Sequence, residues 1–296
     1  MTLSVIVVAL GEDPMATAAL ESARAERGDA ELILVLNGVA ATRQAWPPGT
    51  RVLCNAENTG FAAAFNQGMA LSTGFSILSL NPDARLEAGS LSAALSALDA
   101  DARRGAVAFR LLRPDRQILD SGGVRMDWLW RAKDRGMGQP AKGRCEMTEN
   151  VDAPCMAAAL FRRDALECAR DGAGEVLDER FFAYKEDVDL GWRLRARGFT
   201  IHFEPRALAV HERGWKEGSR AAVPVQLRRL SFGNRWQLIA KNASLVGFLV
   251  RAPFLLLFEL LLLGGMLVLE PATLGGLPRA IALLPGSLRR RARRAK

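Results

Sequence analysis

The chain has 296 residues, of which 49% are hydrophobic and 24% are charged, and this globular composition leaves room for one large α/β domain with an appendage, or for two small domains. Four cysteines without a CxxC pair and only two histidines exclude a cysteine-based zinc site and a multi-histidine metal site. The net charge of +8 is uneven, because six cations lie within the last eight residues. They are Arg289, Arg290, Arg291, Arg293, Arg294 and Lys296.

The cysteines and the first residues of the chain both give information on the cellular location of the protein. Cysteines without disulfide or zinc spacing are typical of reduced thiols in a cytosolic protein. The chain passes directly into a predicted strand at Leu3 without a basic leader or a cleavage site, so we expect no export signal. These features predict a cytoplasmic location.

The first 111 residues alternate between apolar, β-branched runs and helical segments. Leu3–Ala9 is such a run, of the kind found in the buried strands of parallel sheets. The alternation predicts right-handed βαβ crossovers and a doubly wound sheet, in which ligands bind beyond the carboxyl ends of the strands. The predicted strands are 3–9, 31–36, 51–53, 75–80 and 106–111, and the predicted helices are 15–24, 62–71 and 91–98.

Polar residues follow three of these strands. Asn37 ends the second strand, and Asn58 and Gly60 precede a helix whose N-terminus attracts anions. Asn81 and Asp83 follow the fourth strand, where a Mg²⁺ or Mn²⁺ ion that bridges two phosphates would be held. Each motif alone is equally consistent with an ordinary turn.

The middle of the chain is less regular. Between residues 113 and 150 the periodicity disappears, which predicts a loop-rich lid or acceptor surface. His202 lies inside a predicted strand and is interpreted as structural, whereas His211 lies at a strand end, the better place for a ligand. Regular structure resumes at 155–161 and continues in predicted strands at 199–203 and 207–210.

Three carboxylates fall within four residues in the stretch 182–193, directly behind two aromatic residues. On a helix, Asp187 lies beside the apolar stripe, where partial desolvation raises its proton affinity and suits it to general-base work. Asp189 points towards Arg193 one turn on, which favours a structural ion pair. The alternative for all three acids is simple stabilisation of the helix dipole, at about 0.3–1 kcal/mol each.

Four sequence pieces occur together in a fixed order, and the set resembles the inverting glycosyltransferase family 2, within it the rhamnosyltransferase-like branch, over roughly residues 3–242. The resemblance implies an α/β protein with the GT-A fold, a Rossmann-like, mostly parallel sheet flanked by helices. It also implies a nucleotide-sugar-binding half at 1–111 and an acceptor and catalytic half at 112–242. The pieces are Asn37-Gly38, Asn58-Thr59-Gly60-Phe61 with Asn66, Asn81-Pro82-Asp83-Ala84, and Asp178-Glu179 through Glu186-Asp187-Val188-Asp189-Leu190 to His211.

The same resemblance implies a role for each matching residue. Asp187 would be the catalytic base, and Asp83 the carboxylate that binds a divalent cation, Mg²⁺ or Mn²⁺. His211 would be a second ligand of the metal or of the diphosphate. The implied donor-binding residues are Ala9, Asn37, Asn58, Gly60, Asn66, Asn81, Asp83 and Glu186.

The chain departs from the family pattern at two places. Many relatives carry an Asp before the Asn at the end of the second strand, where it contacts the uracil or thymine ring, and this chain has Leu36 there. Many also carry a polar pair after the first strand, where this chain has Ala9-Leu10. Both changes concern the base of the nucleotide, and dTDP-rhamnose is the donor that the resemblance favours.

Residues 243–296 are predicted to be an apolar, helical membrane-association segment with a basic tail. Residues 252–269 are apolar apart from Glu259 and would measure about 27 Å as a helix, slightly under the ~30 Å of a hydrocarbon core. We expect an interfacial or re-entrant helix, a second short apolar piece at 281–284, and an arginine tail on anionic headgroups rather than on nucleic acid. A full span is the alternative. An interfacial or re-entrant helix predicts a peripheral or monotopic protein on the cytoplasmic face of the cell membrane.

Three functions remain open from the sequence. The first is the transfer of a hexose or deoxyhexose from a nucleotide sugar to a cell-surface glycan or lipid-linked acceptor. The second is transfer to polyprenyl phosphate, and the third is a non-catalytic membrane adaptor that binds sugar nucleotides. Two cations in the helix predicted at 233–242, Arg235 and Lys241, are expected to meet phosphates or solvent.

Overall fold

A computed structural model describes residues 2–213 and 223–292. For residues 291 and 292 it describes the backbone alone. Within these residues the strands are β1 (Leu3–Leu10), β2 (Glu31–Asn37), β3 (Arg51–Asn55), β4 (Ser76–Leu80), β5 (Ala84–Leu86), β6 (Arg104–Leu112), β7 (Leu119–Ser121), β8 (Val124–Met126), β9 (Ala132–Asp134), β10 (Glu149–Asn150), β11 (Ala158–Arg162) and β12 (Thr200–His211). The α-helices are α1 (Met15–Glu26), α2 (Phe61–Leu71), α3 (Ser90–Asp99), α4 (Arg163–Cys168), α5 (Glu186–Ala196), α6 (Val225–Asn242), α7 (Leu245–Leu269) and α8 (Leu277–Ala292).

Ten of the described strands form one mixed sheet, with the order β10-β12-β6-β11-β4-β1-β2-β3 and with β5 paired to β12 and β7 paired to β6, while β8 and β9 form a separate two-stranded sheet. The four strands β1 to β4 run parallel, and β11 is antiparallel to both of its neighbours. Because the parallel strands are paired in register, Leu10 lies opposite Asn37, and Asn37 lies opposite Asn55. The polar residues that follow these strands therefore meet at one edge of the sheet, as the sequence predicts.

Helices cover both faces of the sheet. Val5 and Val7 of β1 point to one face and pack in a core with α1 and α3. Ile6 points to the other face and packs with α2, α4 and α5. The continuous apolar runs of the central strands are explained by this double coverage, since a strand buried on both faces has no polar side.

One predicted pair of strands is a single strand in the structure. Residues 200–203 of the first predicted strand and 207–210 of the second belong to β12, which pairs with β6 along its length. The pairing register shifts between Glu204 and Leu208, and this interval contains Pro205, which has no N–H to donate to a neighbouring strand. The proline therefore produces a bulge rather than the end of the strand.

The C-terminal helices differ from the sequence prediction in their bounds. Helix α7 begins at Leu245, where the Ser244 side chain accepts a hydrogen bond from Gly247 N, and Pro253 lies inside it without ending it. Its 25 residues correspond to about 37 Å, longer than the predicted 18-residue segment. By length and composition it is the one helix among the described residues that can cross a membrane. The apolar piece at 281–284 lies within α8.

Helix α8 packs on α6, across the predicted boundary at residue 242. A Cβ atom added to Gly233 of α6 would lie 3.2 Å from the Cβ atom of Ala280. The division into a catalytic domain and a membrane segment therefore stays an interpretation, because the last helix lies against the part of the chain assigned to catalysis.

Candidate active site

A cavity of about 320 Å³ lies beyond the carboxyl ends of the central strands. It is lined by five of the residues that the sequence singles out, together with residues from the segment predicted as a lid. The predicted residues are Asn81, Asp83, Glu186, Asp187 and His211. Residues far apart in the chain thus share one concave site of the kind that binds small-molecule ligands.

Short backbone contacts place Asp83 beside His211. The backbone N–H of Asn81 donates to Ala157 O, which ends β4, and the short strand β5 then pairs with the end of β12. The N–H of Glu212 donates to Asp83 O over 2.8 Å. As a result the Oδ1 atom of Asp83 lies 3.2 Å from Nε2 of His211.

The buried carboxylate of Asp120 contacts the other ring nitrogen of His211, Nδ1. Oδ2 of Asp120 lies 2.7 Å from Nδ1 of His211, and Oδ1 of Asp120 lies 2.8 Å from Arg113 and 2.9 Å from Arg213. Burial lowers the pKa of His211, but hydrogen bonds to Asp120 and Asp83 outweigh that effect and raise the pKa to about 9. The imidazole is therefore protonated at neutral pH in this arrangement and donates to both carboxylates.

Asp83 and His211 form a donor set that fits a divalent cation. A metal-binding histidine ordinarily presents one ring nitrogen to the metal and donates the other N–H to a carboxylate, and Asp120 occupies that second position here. The proton on Nε2 would have to leave for His211 to act as a ligand. Asp83 is the hard oxygen ligand that Mg²⁺ and Mn²⁺ prefer.

Asp187 lies in the first turn of α5, on the wall of the same cavity. Burial raises the pKa of its carboxyl to about 6, and the negative charge of Asp134 acts in the same direction. Burial and the neighbouring charge of Asp187 raise the pKa of Glu186 to about 8. Oε2 of Glu186 is buried without a hydrogen-bond partner among the described residues. Glu186 is therefore protonated at neutral pH, while Asp187 is largely ionised and able to accept a proton.

Asp189 lies on the opposite side of α5 and has a structural role, as its spacing from Arg193 predicts. Its carboxylate lies 2.8 Å from Arg193 and 2.9 Å from Lys241, and it accepts a 2.7 Å hydrogen bond from Asn242. All of these groups are turned away from the cavity lining. The two neighbouring acids, Asp187 and Asp189, thus lie in different surroundings, the first on the cavity wall and the second among buried cations.

The prediction that Arg235 and Lys241 meet phosphates or solvent is wrong. Lys241 is fully buried and bridges Asp171, Asp178 and Asp189. Arg235 is paired with Glu259 of α7. Both cations are paired with carboxylates from distant parts of the chain, which the local sequence pattern does not reveal.

A second group of acidic side chains has the spacing of a metal site but is already paired with lysine and arginine side chains. Asp171, Glu175 and Asp178 converge beside α8. Lys241 lies 2.9 Å from Asp178, and Arg290 pairs with Asp171 and, over 2.7 Å, with Glu175. Because fixed cations neutralise the cluster, we assign it a structural role. Arg290, expected on lipid headgroups, is thus turned into the protein, and residues 293–296 of the basic tail lie outside the described residues.

The predicted donor-binding residues at the ends of β2 and β3 form a polar network outside the cavity lining. Asn37 is buried and donates to Asn58 Oδ1 over 2.9 Å and to Gly60 O over 3.2 Å. It also accepts hydrogen bonds from Thr59 and Asn55. This network fixes the turn that precedes α2, and a direct contact of its members with a donor stays a prediction.

Three further predicted residues have clear packing partners. Gly60 has a φ of +86°, and an added Cβ atom would lie 2.6 Å from the ring and from the carbonyl oxygen of Phe182, so close packing also explains the glycine. Asn66 bonds to the backbone of Leu177 through both its amide nitrogen and its oxygen. Ala9 is fully buried in the sheet. None of these three residues is part of the cavity lining.

Sequence reasoning misses several residues beside this site, most of which come from the middle of the chain. Asp120 and Asp134 come from β7 and β9, in the segment predicted to be loop-rich, and Arg213 follows β12. Short two- and three-residue strands carry no readable periodicity. The one available signal is the cluster of charges around Gly122-Gly123, which does not indicate a role for any one residue.

Comparisons with known proteins identify relatives by sequence. Two curated relatives, each an N-acetylglucosaminyl-diphospho-decaprenol L-rhamnosyltransferase of Mycobacterium tuberculosis (strains CDC 1551 / Oshkosh and ATCC 25618 / H37Rv), are 27% identical over 189 residues. The matched region covers 58% of this chain and 61% of each relative. The chain therefore spans about three-fifths of the length of these relatives.

Solved structures share the fold. The crystal structure of GalNAc-T7 with UDP, GalNAc and Mn²⁺ matches with a TM-score of 0.59 and 14% identity over 81% of this chain and 48% of that chain. The mannosyltransferase PcManGT from Pyrobaculum calidifontis, in complex with GDP-Man and Mn²⁺, matches with a TM-score of 0.54 and 18% identity over 96% of this chain and 74% of that one. These similarities confirm the GT-A fold that the sequence predicts.

The family model for glycosyl transferase family 2 matches residues 4–170, more than half of the chain. This region holds Asp83 and Asp120, whereas β12, which pairs with the strand after Asp83, lies outside it. The chain therefore belongs to glycosyl transferase family 2.

Proposed function

We propose that this protein is an inverting, metal-dependent glycosyltransferase that moves a hexose or deoxyhexose, with rhamnose from dTDP-rhamnose as the best candidate, to a lipid-linked acceptor. One observation carries the proposal: the Asp83–His211 pair and Asp187 line one cavity. A cation and diphosphate at the pair would leave the anomeric carbon of the sugar within reach of an acceptor activated at Asp187.

Asp187 supplies the base in this mechanism. Its carboxylate accepts the proton of an acceptor hydroxyl, and the oxygen forms a bond to the anomeric carbon as the bond from that carbon to the diphosphate oxygen breaks. The electron pair of the broken bond leaves with the nucleotide diphosphate. Because attack and departure occur on opposite sides, the anomeric configuration inverts.

Asp83 and His211 would hold the divalent cation, with Asn81 beside them. When bound, the cation stabilises the negative charge that develops on the departing diphosphate. Arg213 lies on the same wall, 2.9 Å from Asp120, and adds positive charge to this side of the cavity. In this proposal the leaving group lies on the side of Arg213 and the acceptor on the side of Asp187, and Lys133 and Lys185 add further positive charge to the cavity wall.

The donor sugar is inferred from the curated relatives. Both are rhamnosyltransferases by name, and each is 27% identical to this chain over 189 residues. Leu36 is fully buried in the core, so its side chain does not replace the base-reading Asp of other relatives. Recognition of the nucleotide base in this chain would therefore depend on the backbone and on neighbouring residues.

A membrane-bound acceptor is supported by the surface next to the cavity. Strands β8 and β9 form a hairpin, and Val124, Ala132 and Asp134 of these strands line the cavity. At the hairpin tip, Trp128 packs edge-on against Phe254 of α7. The cavity is thus connected through one hairpin to a helix whose exposed side is apolar, which suits a substrate with a polar head and a lipid chain.

A transfer assay tests the proposal. Purified protein is incubated with dTDP-rhamnose, Mn²⁺ and a polyprenyl-diphosphate-linked sugar, and the product is analysed by mass spectrometry and by NMR of the anomeric proton. We expect a new glycosidic bond of inverted configuration, and loss of at least about 10³-fold in rate for Asp187→Asn with donor binding nearly unchanged. Full activity of Asp187→Asn would remove the proposed base. A lipid monophosphate sugar as product would support the polyprenyl-phosphate alternative instead.

A further inference from the structure

The loop that leads into Asp187 has an unusual backbone. Phe182, Tyr184 and Lys185 all have positive φ angles, of 65°, 71° and 75°, although none of them is glycine. Phe182 has a ψ of −64°, and Ala183 N donates to Phe181 O over 2.7 Å, which together define a strained γ-turn. Such a conformation persists only where the surrounding structure holds it.

Helix α6 holds this loop through one side chain. The amide nitrogen of Asn234, which is fully buried, lies 2.8 Å from Phe181 O, 2.8 Å from Ala183 O and 2.7 Å from Tyr184 O. Because an amide group has two hydrogens, the three carbonyls share them. One residue of α6 thus contacts the backbone on both sides of the γ-turn.

Two neighbouring side chains fix the orientation of the Asn234 amide. Its oxygen accepts hydrogen bonds from Gln237 over 2.9 Å and from Arg279 of α8 over 3.1 Å. Arg279 also donates to Arg180 O, over 2.6 Å, at the start of the same loop. With its oxygen occupied by donors, the amide must present its nitrogen to the loop.

The held loop ends at the proposed base. Lys185 is the residue before α5, and its carbonyl accepts the first hydrogen bond of the helix, from Asp189 N. Asp187 lies in this first turn, and Tyr184 and Lys185 line the cavity beside it. The position of Asp187 therefore depends directly on the backbone conformation of residues 182–185.

We propose that Asn234, supported by Arg279 of α8, is a positioning residue for the base, so that the C-terminal helices complete the active site. This inference rests on the proposed function in its use of Asp187. Like Asp187 and His211, Asn234 and Arg279 lie outside residues 4–170, the part of the chain that the family model covers. An enzyme that loses the Asn234 contacts should bind its donor but turn over slowly, because misplacement of a catalytic group by about 1 Å can lower the rate about 10²-fold.

The test combines kinetics with a probe that does not need activity. Tyr184 is the only tyrosine in the chain, so protein labelled with 3-fluorotyrosine gives one ¹⁹F signal from this loop. For Asn234→Ala we expect a shifted or broadened signal and a kcat about 10- to 100-fold lower, with the KM for the donor within about threefold of wild type. Arg279→Met, which leaves Asn234 in place, should change both readouts in the same direction and less strongly.

Asn242→Ala is the matched control. Asn242 lies on the same helix and donates to Asp189 and to Leu238 O, on the structural side of α5. We expect this variant to keep the wild-type ¹⁹F signal and a kcat within about threefold of wild type, even where its thermal stability falls as much as that of Asn234→Ala.

Two results would overturn the inference: an unchanged kcat and ¹⁹F signal in Asn234→Ala, or equal losses of kcat in Asn234→Ala and Asn242→Ala. A wild-type protein without transferase activity would contradict the proposed function instead. In that case the ¹⁹F spectra alone decide whether Asn234 holds the loop. Failure of Asn234→Ala to fold would leave Arg279→Met as the deciding variant.

Discussion

His211 and Asp120 lie 2.7 Å apart, from Nδ1 of the imidazole to Oδ2 of a carboxylate that is fully buried. The contact fixes the ring so that its other nitrogen faces Asp83 and the cavity. In known metal sites, loss of such a supporting carboxylate lowers metal affinity or activity by about 10- to 100-fold. The pair therefore links a residue of the irregular middle segment to the proposed metal site.

We predict that Asp120→Asn weakens Mn²⁺ binding by about 10- to 100-fold, because the amide does not support the imidazole as a carboxylate does. Isothermal titration calorimetry with Mn²⁺ in the presence of a nucleotide diphosphate measures the change. Glu204→Gln is a suitable control, since Glu204 is also a buried carboxylate and pairs with Arg206 on β12, away from the cavity. Equal affinity in Asp120→Asn and wild type would contradict a metal site at His211.

The pH dependence of the reaction should report on Asp187. Its pKa of about 6 means that the base is ionised above that pH and protonated below it. We therefore expect kcat/KM to be level near pH 7 and to fall about tenfold for each unit of pH below 6.

Asp134 provides a directional test of that assignment. Its negative charge raises the pKa of Asp187, so Asp134→Asn should move the acidic limb of the kcat/KM profile to lower pH. Asp99→Asn, a change at an exposed position on α3, should leave the limb in place. A shift of the limb to higher pH in Asp134→Asn would exclude Asp187 as the titrating group.

Lys241 offers a test of stability that is separate from catalysis. Its ammonium group is fully buried among Asp171, Asp178 and Asp189. Lys241→Met leaves these carboxylates without that counter-charge, so the free energy of unfolding should fall by about 3–5 kcal/mol at pH 7. Urea denaturation measures this loss, and Lys142→Met, at an exposed position, is the control.

The loss should also depend on pH. Burial alone would raise the pKa of Asp189, but Lys241 and Arg193 hold it below its usual range. A carboxyl group with a lowered pKa contributes stability above its unfolded-state pKa of about 3.9, and that contribution is lost as the pH falls through its folded-state value. The difference in the free energy of unfolding between Lys241→Met and wild type should therefore be largest near neutral pH and should become smaller in acid.

The sequence predicts the core of this fold well and the site only in part. Buried parallel strands are readable because each is a continuous apolar run, and the polar residues after them meet because parallel strands end at one edge. By contrast, the roles proposed for Asp120 and Asn234 depend on contacts between residues about 50 or more positions apart, such as Asn234 with Phe181 and His211 with Asp120. Periodicity and spacing describe neighbours along the chain and give no information on such contacts.

The same reasoning explains the error at Lys241 and Arg235. Both are cations on a helix, and solvent exposure is the usual state of such residues. Their burial is possible because carboxylates from four other segments reach them: Asp171, Asp178, Asp189 and Glu259. None of these carboxylates lies within 20 residues of its partner.

Helix α7 is held to the rest of the protein at both ends, which favours a helix that lies on a membrane over one that crosses it. Near its start, Arg251 donates to Trp128 O over 2.7 Å, and at its end Glu270 pairs with Arg228 of α6 over 3.1 Å. Between them Glu259 pairs with Arg235. A spanning helix would have to break these contacts at one end.

The outward side of α7 is the predicted membrane contact. Leu257 and Leu261 are 57% and 68% exposed, and burial of each leucine in lipid is worth about 1.5–3 kcal/mol. We predict that Leu257→Ser with Leu261→Ser lowers binding to vesicles of anionic and neutral lipids by more than about tenfold in a flotation assay. Phe75→Ser is the control, because Phe75 is equally exposed, at 67%, but lies at the opposite end of β4 from the cavity. Alkaline carbonate should release the intact wild-type protein from membranes, and retention after that treatment would show a spanning helix instead.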